Sequence, residues 1–174
     1  GQAEFPSTHW IINNGTIQRV AKENVPVMAD GKPAPGGDII TDQAWKDFEF
    51  YFEWKVSPGS NSGVKYNVSE EFSASRGSGR GALGWEYQVI DDKNYKGELR
   101  PNHQAGGLYD MIPAMNKTLK PVGEWNSSKI VFIGSRGEHW LNDVKVVEYD
   151  MDTAEFEALY AKSKYFKIPT FKDK

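Results

Sequence analysis

The chain has 174 residues, with 21 Lys or Arg against 24 Asp or Glu, a net charge of -3 and no cysteine. That length suits one domain and can bury about 70% of the unfolded surface without a metal or disulfide staple. The scattered charge offers no basic stripe for nucleic acid, no apolar run approaches the ~20 residues of a membrane-spanning helix, and the missing thiols exclude a disulfide frame, a thiolate metal site and a cysteine nucleophile.

Aromatic residues make up 13% of the chain, with 17 glycines and 9 prolines, a mixture that favours short strands joined by turns. Residues 10–12 and 16–20 flank Asn13-Asn14-Gly15, the turn chemistry of a hairpin. Residues 22–37 read as a long loop, after which 38–41 resume a strand. The clearest strand covers 47–56, where Phe48, Phe50, Phe52, Trp54 and Val56 alternate with Asp47, Glu49, Tyr51, Glu53 and Lys55. Residues 57–63 form a turn, and 64–68 return with Val64, Tyr66 and Val68 on one face and Lys65 and Asn67 on the other. A Ser/Gly/Arg loop at 73–81 leads to 85–90, where Trp85, Tyr87 and Val89 alternate with Glu86, Gln88 and Ile90. Residues 128–134, 138–141 and 144–149 form a meander that turns at 134–137 and at Asn142-Asp143. One short helix follows: Asp152 with Glu155 is capping-box-like, Phe156, Leu159 and Tyr160 make its apolar stripe, and Pro169 bars extension. The whole reads as one all-β domain over 1–174, a two-sheet antiparallel sandwich with a single short C-terminal helix.

Carbohydrate is recognised by planar hydrogen-bonding side chains that pair with vicinal hydroxyls and by aromatic rings that cover C–H faces. Glu53, Lys65, Glu86 and Gln88 all fall on the polar side of their strands, which suits such a surface; an ordinary solvated sheet face has the same pattern. Phe48, Phe50, Phe52, Trp85 and Tyr87 read as core. Glu53 and Glu86 are the candidate carboxyls for glycosidic bond cleavage. Asp91-Asp92, at the end of a strand, reads as a turn. His9, His103 and His139 are not spaced as a helical metal pair, so no metal is expected. His103, in a Pro/Asn/Gly-rich loop, is a candidate acid–base group. His139, beside Trp140, reads either as a ligand contact or as a hydrogen-bonded structural residue. With no GxSxG, P-loop or dinucleotide fingerprint, no cofactor is expected.

Six segments follow one another in order: Asp47-Phe48-Glu49 through Glu53-Trp54-Lys55, Asn61-Ser62-Gly63-Val64-Lys65-Tyr66, Gly84-Trp85-Glu86-Tyr87-Gln88-Val89-Ile90-Asp91-Asp92, Gly107-Leu108-Tyr109-Asp110-Met111-Ile112-Pro113, Lys120-Pro121-Val122-Gly123-Glu124-Trp125-Asn126 and Glu138-His139-Trp140-Leu141-Asn142-Asp143-Val144-Lys145-Val146-Val147. Together they resemble the DUF1080 family, the 3-keto-disaccharide hydrolase domains with a concanavalin-like jelly roll. The family's usual opening and closing strands have no counterpart, so the sequence is expected to be trimmed at both ends.

The resemblance implies an enzyme acting on glycosides already oxidised at C3, by C2 proton abstraction, loss of the C1 substituent and addition of water. Glu86 is then the leading acid–base group, with Glu53 and His103 behind it. Lys65 is expected to polarise the ketone or bind a hydroxyl, Asn61, Gln88 and Tyr109 to position the sugar, Trp125 to stack on it, and His139 to contact it. An exported, periplasmic or cell-surface bacterial protein is implied by the same kinship. A non-catalytic carbohydrate-binding module stays open as the second reading, and a structural adhesion domain as the third.

Overall fold

The computed structural model describes residues 5, 7–34, 36–75, 81–168 and 171–173. The chain divides into two compact units, Gly1–Ala44 with Ser69–Leu83, and Trp45–Val68 with Gly84–Lys174.

In the first unit, β1 (Trp10–Asn13) and β2 (Thr16–Arg19) form the expected hairpin. Its turn residues Asn14 and Gly15 sit at φ 48° and 75°, the left-handed pair that matches the twist of the flanking strands. The strand expected at 38–41 is absent. Ile39 and Ile40 are exposed there, and apolar alternation with no partner strand to bond forms no ladder. A helix not expected from the sequence, α1 (Glu70–Ser75), begins where Ser69 Oγ accepts the Phe72 amide at 3.3 Å, an N-cap. Residues 76–80 of the expected 73–81 loop lie outside the described residues, as does Pro169.

The second unit is the sandwich. One sheet has the order β3 (Phe48–Trp54), β6 (Asn126–Ile133), β7 (Arg136–Leu141) and β8 (Val144–Asp150), all antiparallel. Facing it is the pair β4 (Asn61–Tyr66) and β5 (Trp85–Ile90). Period two decides what lies between them. Phe52 meets Tyr87 edge-on with ring centres 5.3 Å apart, and Phe48 meets Tyr66 at 6.1 Å. The polar tips of these rings are paired inside: Tyr87 and Ser128 share a hydrogen bond of 2.7 Å, and Trp54 donates to the same Ser128 hydroxyl at 2.8 Å. At Gly137 a Cβ would come within 2.2 Å of the buried Tyr149 ring, so only glycine lets the ring lie there.

β4 starts and ends earlier than its pattern indicates, because Asn67 takes φ 51° and leaves the ladder. Asn61 is thereby drawn out of the expected turn into line with Gly63 and Lys65.

His139 lies at the centre of the sandwich, fully buried. Its Nδ1 is 2.9 Å from the Gly106 carbonyl, which can only accept, so the proton is on Nδ1; Nε2 then accepts from Tyr66 Oη at 2.9 Å, and Tyr66 in turn bonds Tyr149 at 2.7 Å. Burial, opposed by the Gly106 hydrogen bond, brings the His139 pKa down to about 4.

The C-terminal helix α2 (Ala154–Tyr160) forms as expected but is capped one residue later: Thr153, not Asp152, accepts the Phe156 amide at 3.2 Å. Trp85 docks the segment that follows, meeting Phe156, Tyr165 and Phe171 edge-on at 5.4, 5.3 and 4.7 Å. This aromatic cluster holds residues 163–168 against β5, next to Glu86.

Candidate functional site

Inward placement of Val64, Tyr66, Trp85 and Tyr87 sends Asn61, Gly63 and Lys65 of β4, and Glu86, Gln88 and Ile90 of β5, to the outer side of their sheet. The register pairs Lys65 with Glu86, Gly63 with Gln88 and Asn61 with Ile90. On its other edge β5 carries a short third run. The Tyr109 amide donates to the Glu86 carbonyl at 2.9 Å, the Gln88 amide to the Gly107 carbonyl at 3.1 Å, and Tyr87 bridges Leu108. Tyr87 and Leu108 are both fully buried on the inner side, so Glu86 and Tyr109 share the outer one. Lys65, Glu86 and Tyr109 therefore stand in a row across three adjacent extended segments.

A Cβ at Gly63 would lie 2.3 Å from Glu86 Oε1, so the carboxylate leans over the space that a side chain at 63 would fill. Next in the row, Tyr109 is stacked on His103 with ring centres 4.5 Å apart. His103 Nε2 lies 2.8 Å from Asp110 Oδ1 and 2.9 Å from an Arg100 guanidinium nitrogen. When Nε2 carries a proton its acceptor is the Asp110 carboxylate; when it does not, its donor is the Arg100 guanidinium. With Nε2 engaged by Asp110 and Arg100, Nδ1 is the ring nitrogen left for proton transfer. Asp110 Oδ2 accepts the Lys164 amide at 2.7 Å, and Asp110 itself sits at φ 59°. Partial burial raises the Asp110 carboxyl, but the hydrogen bonds from His103 and Lys164 and the charges of His103 and Arg100 outweigh it and hold the group below the usual range.

The Lys164 ammonium lies 3.9 Å from the Tyr109 ring centre and 4.9 Å from that of Tyr165. Tyr165 is buried, and its hydroxyl has no hydrogen-bond partner among the described residues. Burial first, then the charges of Glu86 and Asp110, push the phenols of Tyr109 and Tyr165 up, so both remain protonated donors at neutral pH. The arrangement can take a proton, return one and offer cationic and phenolic donors to an oxygen that gains charge.

Of the residues singled out in the sequence, Lys65, Glu86, His103 and Tyr109 come together here. Asn61 and Gln88 share the face, but Gln88 is buried and donates its amide to Asn61 Oδ1 at 3.1 Å, which makes the pair the floor of the row. Glu53 does not join them. It is exposed on β3, opposite Ser127, on the far outer side of the other sheet, so the thickness of the sandwich separates it from Glu86. Trp125 lies with that other sheet, its ring 4.9 Å below Lys55 Nζ. The expected sugar contact at His139 is corrected too: both its nitrogens are spent inside the core. Asp110, Arg100, Lys164 and Tyr165 were not singled out. Asp110 follows Leu108-Tyr109 in a quoted motif and was within reach; Lys164 and Tyr165 are brought in only by tertiary docking. Among the described residues no three His, Asp or Glu side chains gather to hold a metal ion, and no helix is long and apolar enough to cross a membrane.

The model of a family described as the 3-keto-alpha-glucoside-1,2-lyase-like domain matches residues 1–169. The chain belongs to this family. A relative from Bacteroides thetaiotaomicron named 3-keto-disaccharide hydrolase is 36% identical over 174 residues, covering 95% of this chain and 58% of its own length. The chain thus spans less than two thirds of that relative. Among solved structures, a protein of Parabacteroides distasonis ATCC 8503 provisionally described as a glycosyl hydrolase superposes with a TM-score of 0.75 at 28% identity, over 92% of this chain and 71% of that one. A second P. distasonis structure of the same description gives 0.51 at 28% identity, over 62% and 52%. These likenesses agree with the antiparallel sandwich.

Proposed function

We propose that this domain cleaves 3-keto-glycosides or 3-keto-disaccharides by elimination across C1 and C2 followed by hydration. The observation that carries the reading is the row Lys65–Glu86–Tyr109 with His103 stacked at its end. A ketone at C3 acidifies the C2–H bond. Glu86 takes that proton as the C–H pair forms a C2=C3 bond and the ketone pair moves onto the C3 oxygen; when the ketone re-forms, the pair passes into a C1=C2 bond and the C1–O bond breaks with its pair leaving on oxygen. His103 enters this step as the imidazolium, its Nε2–H held by Asp110, and gives its Nδ1 proton to the departing oxygen; the neutral ring then takes a proton back from water. Lys65 and the Tyr109 phenol steady the negative charge that collects on the C3 oxygen. Water then adds across the double bond, its hydroxyl to C1 and its proton to C2. Support comes from the names of the family and of its B. thetaiotaomicron relative, and from the placement of Glu53 and Glu86 on different sheets, which speaks against those two acting as a carboxylate pair.

The test is a pair of substrates, 4-nitrophenyl glucoside and its 3-keto derivative, incubated with the protein. Release of nitrophenol from the 3-keto compound alone is expected. Equal release from both contradicts the elimination route, and binding without release identifies a carbohydrate-binding module.

A further inference from the structure

Beyond the row itself, the sandwich unit has an open depression of about 700 Å³ lined by Pro58, Gly59, Asn94, Tyr95, Lys96 and Gly97. It lies past the Asn61–Ile90 end of the β4–β5 pair, where the turn before β4 meets the loop after β5. That volume is within the ~300–1,000 Å³ typical of small-ligand sites. Its base is built rather than incidental. Buried Asp91 accepts from the Gly59 amide at 2.8 Å, the Lys93 and Asn94 amides at 3.0 and 3.1 Å, and the Asn94 side chain at 2.8 Å, locking the two loops together. Gly97 lies flush against the Tyr95 ring, since a Cβ there would come within 2.5 Å of it. The ring is therefore seated against backbone on one side while it lines the depression.

A half-buried aromatic ring beside amide and ammonium groups suits a sugar, whose C–H face stacks on the ring and whose hydroxyls find donors. We propose that this depression is a second sugar subsite that holds the leaving glycosyl unit of a disaccharide while the oxidised ring occupies the Lys65–Glu86–Tyr109 row. The assignment of the two units rests on the elimination reading; the existence of the subsite does not.

The experiment is an amide NMR titration of the whole chain with maltose and, separately, methyl glucoside. Maltose is expected to shift the amides of Gly59, Asn94 and Gly97 in a saturable way, and methyl glucoside to leave them in place. In parallel, Tyr95→Ala is expected to raise the ratio of KM for 3-keto-maltose to KM for methyl 3-keto-glucoside at least about tenfold. Unmoved amides, or a KM ratio unchanged by Tyr95→Ala, overturn the subsite. Maltose-dependent shifts in a protein that turns over neither 3-keto substrate support the subsite and overturn the elimination reading instead.

Discussion

Glu86→Gln is expected to lower turnover of a 3-keto-glycoside by about 10²–10⁴-fold, the usual worth of a general base, while Glu53→Gln changes it by less than about twofold. The amide keeps the shape and the acceptor oxygen of Glu86 but cannot hold a proton at neutral pH, so sugar affinity should survive the change. The contrast with Glu53 comes from topology. Both residues lie on the polar side of amphipathic strands, but β3 and β5 belong to opposite sheets and turn their polar sides to opposite exteriors. Gly63→Ala should act in the same direction as Glu86→Gln, because the added methyl takes the space over which the Glu86 carboxylate leans. Steady-state kinetics on the three variants checks the order; a Glu53 variant as impaired as the Glu86 variant would sink it.

Acid should unfold this protein earlier than its carboxylates alone would. The neutral His139 ring is held between Gly106 and Tyr66 with its pKa brought down to about 4, against about 6.5 for a solvated histidine. Between those values the unfolded chain binds a proton that the folded chain excludes, so lowering the pH favours unfolding. The slope reaches at most about 1.4 kcal/mol per pH unit, and the loss across the window is about 3 kcal/mol. It is complete near the folded pKa, below which both states are protonated. Asp110, Glu138 and Asp150, all held below the usual carboxylate range, keep their contribution until the pH falls past the normal carboxylate value near ~4, and so act in a separate, lower window. Urea unfolding at a series of pH values should show wild-type stability falling from about pH 6.5 downward. His139→Gln should be weaker at neutral pH, because it cuts the Tyr66–Tyr149 chain, yet flat through the same window. Equal wild-type stability at the two ends of the window would contradict a buried neutral ring.

Much of the fold was legible because period-two alternation is a local property. The 47–56 and 85–90 segments declare an inner and an outer face, and the structure turns Phe52 and Tyr87 inward to meet each other, while Phe50 is exposed and the outer Gln88 and Ile90 are buried. The failures have local causes as well. Residues 38–41 carry an apolar pair that finds no partner strand, and Asn67 adopts a left-handed turn that shifts the β4 register toward Asn61. The site was legible only in part. Alternation tells which side of its own strand a residue occupies, not which sheet the strand joins, so Glu53 and Glu86 looked equivalent. Nor does alternation distinguish an exposed polar residue from one folded inward with its hydrogen bonds satisfied, which is the case of His139. Asp110 depends on a turn at positive φ, while Lys164 and Tyr165 reach the row only through the packing of Phe156, Tyr165 and Phe171 around Trp85, and no spacing in the sequence encodes that approach.

The fate of the hydrogen at C2 is the most direct measurement. With a 3-keto-glycoside deuterated at C2 and ordinary water as solvent, cleavage should strip the label before or during departure of the C1 substituent, and Glu86→Gln should abolish that loss. Sugar released by the wild-type protein with its C2 deuterium intact would contradict proton removal by the β4–β5 face.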